Sequence, residues 1–110
     1  EPVNPRLEHR LAGPDVKPYL LLAGTLACGY LGMMEGQKPT DPVEGSAYGE
    51  DFSLHRHIHA ANEALRNSDA MRSMLGNSFV DLYCALKDAE YKEFQEIITP
   101  WEREILMFNV

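Results

Sequence analysis

Basic residues are scarce in this sequence. Ten Lys and Arg stand against seventeen Asp and Glu, a net charge of −7, and that balance repels phosphate backbones at long range. Nucleic acid is therefore not an expected partner. Cysteine is scarcer still: Cys28 and Cys84 are the only two, each inside an apolar helical pattern, and their spacing makes neither a disulfide framework nor a zinc site. Both read as buried thiols in a reducing, cytoplasmic compartment. Long hydrophobic runs are missing as well. The uncharged stretch from Pro18 to Met34 falls short of the ~20 residues that span a bilayer, and Gly24, Gly29 and Gly32 interrupt it, so it reads as a helix enclosed by protein, with no membrane partner. The chain opens at Glu1 without methionine, basic n-region or signal-type apolar segment, and reads as a piece of a longer protein. No internal repeat is visible.

What is present is the composition of one small folded domain. The 110 residues are 45% hydrophobic and 25% charged, inside the globular range. Residues 6–11 alternate long charged side chains with others, the two-residue period of a strand, and predict a short strand over 5–12. Ala12-Gly13-Pro14-Asp15 is turn chemistry, and Pro18 suits the first turn of a helix, giving a helix over 18–34. Residues 36–51 hold Pro39, Pro42, Gly45 and Gly49 without apolar period and read as a long loop.

Further helices are expected over 54–67, 69–75, 78–98 and 100–108. In the first of these, capped by Ser53, Leu54, Ile58, Ala61 and Leu65 form one stripe. Ser68 and Asp69 begin the second, which ends at Gly76. In the third, Phe79, Tyr83, Leu86, Phe94 and Ile97 mark the buried side, with Asp81, Lys87, Asp88 and Lys92 in water. Thr99-Pro100-Trp101-Glu102 combines a capping threonine, a first-turn proline and a glutamate placed for a capping box. The fold class is mainly α with one N-terminal β-strand.

The chemistry-bearing residues are few. On a strand Arg6, Glu8 and Arg10 share a face, each about 6.5–7 Å from the next. A carboxylate there can ligate Mg²⁺, which takes oxygen ligands and brings substrate phosphates with it, while the flanking guanidinium groups clamp phosphate or carboxylate oxygens. Such a set stabilises charge that develops during phosphoryl transfer. Taken alone, the three residues are an ordinary solvated edge strand with interleaved charges.

The surroundings change that reading. The run from Arg6 to Leu20, with R-x-E-x-R, a short turn and a Pro-Tyr-Leu helix start, resembles the late catalytic strand of glutamine synthetases. The likeness continues through the Ala/Gly/Leu-rich helix, Glu44-Gly45-Ser46-Ala47-Tyr48, Leu75-Gly76-Asn77-Ser78-Phe79-Val80, Lys87-Asp88-Ala89-Glu90 and Thr99-Pro100-Trp101-Glu102-Arg103-Glu104, nearly the whole sequence in order. Glu8-His9-Arg10-Leu11-Ala12-Gly13 and the Glu44–Tyr48 stretch look most like the branch that joins glutamate to polyamines, the γ-glutamylpolyamine or γ-glutamylputrescine synthetases.

The resemblance implies the C-terminal part of an α+β catalytic domain, inactive by itself. It implies an ATP-dependent ligase that forms γ-glutamyl phosphate and then joins the glutamyl group to an amine, with ammonia as the alternative acceptor. By the same resemblance Glu8 holds a divalent ion, Mg²⁺ or Mn²⁺, Arg6 faces the ATP phosphates, and Arg10 acts on the carboxylate substrate and the transferred phosphoryl group. The family assembles as stacked rings of identical subunits, and the apolar end, Ile105 to Val110, is expected to dock on a neighbouring subunit or on its own core. A helical interaction module without chemistry is the rival from a different class.

Other residues carry less. Lys17 stands where the family has asparagine, and lysine is a poorer helix cap. Tyr48 lies near a loop tyrosine that some bacterial glutamine synthetases modify, and reads here as an ordinary loop residue. His55 and His59 form an i, i+4 pair on the expected helix, with His57 pointing away and no third zinc ligand in view. His9, opposite the charged face, is expected to pack or hydrogen-bond.

Overall fold

The computed structural model describes residues 4, 6–42, 44–46 and 54–108. The chain divides into two compact units, Glu1–Lys38 and Pro39–Val110. Its described part is mainly helical.

In the first unit, α1 runs over Pro18–Met34. Pro18 supplies a preset φ where no N–H is needed. Lys17 precedes it in extended conformation and makes no side-chain cap, because an ammonium group has no acceptor to offer the first-turn amides. The far end closes in a Schellman motif: Gly36, at φ +64°, donates its N–H to Met33 O, and Gln37 donates to Gly32 O at 2.9 Å. Only glycine enters that left-handed region without steric cost.

The helix is apolar nearly all round, and this unit has no second described helix to cover it. Tyr19, Leu22, Leu26, Tyr30 and Met33 are consequently exposed. So is Cys28, which corrects the expectation of a buried thiol at that position. No helix among the described residues is long and apolar enough to cross a membrane.

The strand expected over 5–12 is not formed among the described residues; 6–10 carry no regular secondary structure. A strand exists through ladder bonds to a neighbour, and no described segment pairs with this one. His9 is exposed instead of packed.

The second unit holds α2 (Ile58–Arg66), α3 (Asp69–Leu75), α4 (Asn77–Gln95) and a π-helical turn, Glu102–Leu106. The first helix starts four residues later than expected, after an extended His57. Leu54 is exposed and finds no face to pack against, and an added turn without packing is marginal in water. Ser53, the expected cap, lies outside the described residues. Ser68 Oγ does accept the Met71 N–H at 3.3 Å to open α3. Gly76, at φ +89°, ends α3 and begins α4. Arg72 ties this corner together, donating to Asn77 Oδ1, to Asp81 Oδ1 at 2.7 Å and to the Arg66 carbonyl at the end of α2.

The α2–α4 contact is the centre of the unit, and its facing differs from expectation. Val80 and Cys84 are fully buried, and Lys87, Asp88 and Tyr91 are half-buried behind them, a stripe at i, i+4, i+7, i+8 and i+11. Phe79, Leu86, Phe94 and Ile97 are exposed, while Tyr83, also expected on the buried side, is half-buried. The face is turned by one residue, about 100°, from the one marked by the large apolar side chains. The reason lies on α2, whose centre is Asn62, 5% exposed. A buried amide needs partners, and the Cys84 carbonyl and the Asp88 carboxylate on this side of α4 supply them.

Helix α4 stops at Gln95 and tightens into i→i+3 bonds, Glu96 N to Glu93 O and Ile97 N to Phe94 O. Three β-branched residues, Ile97, Ile98 and Thr99, lead into Pro100, and the residue before a proline is pushed out of the helical region. The capping box then forms reciprocally: Thr99 N donates to Glu102 Oε2 at 2.7 Å, and Glu102 N to Thr99 Oγ1 at 3.2 Å. The Thr99 backbone N–H, and next the Thr99 side chain, hold the Glu102 carboxyl below the usual carboxylate range. The turn that follows widens, with Met107 N bonding Glu102 O, so the segment is π-helical where an α-helix over 100–108 was expected. Thr99→Ala is expected to cost about 1 kcal/mol locally, seen as faster hydrogen exchange at the Glu102 amide with the α4 amides unchanged.

Candidate functional site

Glu8 and Arg10 are brought together. Arg10 Nε donates to Glu8 Oε1 at 2.6 Å, and its Nη2 reaches the same oxygen at 2.6 Å. The pair meets within a segment that has no regular secondary structure. Arg6 is exposed and is not part of this ion pair. Both partners face water, Glu8 63% and Arg10 85% exposed, and an ion pair that open is worth about 0–1 kcal/mol. It is an interaction a ligand can displace at little cost.

The donor chemistry suits the group expected there. Glu8 offers hard carboxylate oxygens to a divalent cation. Arg6 and Arg10 offer planar forks to phosphate or carboxylate. One carboxylate is a single ligand, however, and no group of three His, Cys, Asp or Glu able to hold a metal exists among the described residues. The histidine pair does not form either: α2 begins at Ile58, so His55 lies before the helix and His57 at its cap. His59 lies instead against the Tyr91 ring, centroids 6.3 Å apart. Tyr48 lies outside the described residues.

A second polar cluster was not anticipated. Asn62 Nδ2 donates to the Cys84 carbonyl at 3.0 Å and to Asp88 Oδ1 at 2.7 Å, and Cys84 Sγ donates back to Asn62 O. Arg66 meets Asp88 Oδ2 at 2.5 Å and also pairs with Glu63. The sequence signal was an asparagine at the middle of a helical apolar stripe, with Arg66 one turn after it.

This cluster is structural glue in character. The Arg66 guanidinium, and next the Asn62 amide, hold the Asp88 carboxyl below its ordinary value, and Asp88 in turn raises Arg66. A carboxyl lowered on folding adds stability that is complete above the unfolded pKa, about 3.9. That stability is lost as pH falls through the lower folded value. Acid unfolding followed by circular dichroism is therefore expected to show a loss of helix below about pH 4 that Asp88→Asn weakens, while stability near pH 7 drops in that variant.

The family model described as "Glutamine synthetase, catalytic domain" matches residues 1–106, and the chain belongs to that family. It is similar to the glutamate–isopropylamine ligase of a Pseudomonas species, 35% identical over 88% of this chain and 22% of that protein. It is also similar to the gamma-glutamylethanolamide synthetase of Streptomyces coelicolor, 34% identical over 88% of this chain and 21% of the relative. To the gamma-glutamylputrescine synthetase of Escherichia coli it is 34% identical over 96% of this chain and 23% of the relative. The chain thus spans under a quarter of the length of these curated relatives. No solved structure matches it significantly.

Proposed function

We propose that this chain is the C-terminal segment of the catalytic domain of an ATP-dependent carbon–nitrogen ligase. In this reading the parent protein activates glutamate as γ-glutamyl phosphate and joins it to an amine, a polyamine such as putrescine in preference to ammonia. The observation that carries the reading is the family match over residues 1–106, accompanied by relatives named for glutamyl products of isopropylamine, ethanolamine and putrescine.

Within that proposal residues 5–12 pair as a strand with the rest of the domain, throwing Arg6, Glu8 and Arg10 onto one face. Glu8 gives one oxygen ligand to Mg²⁺ or Mn²⁺, the other ligands coming from parts of the parent beyond this chain. A bound divalent ion supplies charge neutralisation at the ATP phosphate oxygens. Arg6 holds those phosphates in position. Arg10 leaves Glu8, which costs little for a pair so exposed, and turns its fork to the glutamate carboxylate and the phosphoryl group in transfer, where fixed positive charge counts most. The glutamate γ-carboxylate oxygen attacks the terminal phosphorus and ADP leaves; the amine nitrogen then displaces phosphate from the acyl carbon and loses a proton. The exposed side chains of Ile105, Leu106, Met107 and Phe108 support a contact with another copy in stacked rings.

The test is phosphate release by the full-length parent with glutamate and Mg-ATP, compared across ammonia, isopropylamine, ethanolamine, putrescine and spermidine. A diamine or polyamine is expected to exceed ammonia by about tenfold or more in kcat/KM, a margin that pocket contacts can supply. Ammonia as the best acceptor would instead make the parent a glutamine synthetase proper. Release that no amine stimulates would favour the non-catalytic helical module.

A further inference from the structure

We draw no further inference here: the strongest candidate, the apolar groove lined by Ile58, Tyr91, Phe94, Ile97, Trp101 and Leu106 along α4 and the C-terminal turn, has both of its lining carboxylates already engaged, Glu90 by Lys87 and Glu102 by the Thr99 cap, and nothing in the structure shows what covers it.

Discussion

Replacing Glu8 by Gln in the full-length parent is expected to lower amine-dependent phosphate release by about 10²- to 10³-fold, the range seen when one preorganised charge-stabilising group is lost. The substitution is nearly isosteric, and the amide oxygen still accepts from Arg10. It removes the negative charge a divalent cation needs. Glu8 lies outside every helix of the described residues, so the loss should come with unchanged helical content and a raised Mg²⁺ requirement. Normal turnover by this variant at ordinary Mg²⁺ would remove Glu8 from the metal site. Arg10→Lys offers a companion measurement, since lysine keeps the charge and loses the planar fork.

The largest expected effect on stability lies at Val80, which has no exposed surface. Val80→Asp would place a carboxylate where no water reaches, one turn before Cys84 on α4. An uncompensated buried charge costs about 3–5 kcal/mol, a large share of the stability of any domain. Thermal unfolding of the parent, or its soluble yield where unfolding is irreversible, should record the loss. Leu82→Asp, two residues on and 73% exposed, is expected to stay within about 0.5 kcal/mol. Equal behaviour of the two variants would mean that Val80 is not buried as described.

Local chemistry was legible where a few adjacent residues decide it. The Thr99–Glu102 capping box, the Ser68 cap and the break at Gly76 follow from side chains that bond backbone within their own turn, and such bonds need no tertiary partner. The facing of α4 was not legible, because it depends on Asn62, 22 residues away from Cys84. Periodicity ranks faces by apolar bulk, and a buried amide outweighs bulk by requiring acceptors. Of the charged trio, Glu8 and Arg10 do meet, but the strand expected to align all three needs a neighbour that no described segment provides. Cys28 was misjudged for a related reason. A helix that is apolar on every side says that burial is wanted, not which side receives it.

Gly76 carries a further consequence. It is at once the C-cap of one helix and the N-cap of the next, so no spacer absorbs a change in chain length between them. One residue inserted after it would wind α4 forward by about 100°, presenting Phe79 and Tyr83 where Val80 and Cys84 are now buried, and carrying Asp81 away from Arg72. The corner therefore sets the rotational phase of the whole C-terminal half, and tolerance to insertion should fall to its minimum at that one peptide bond.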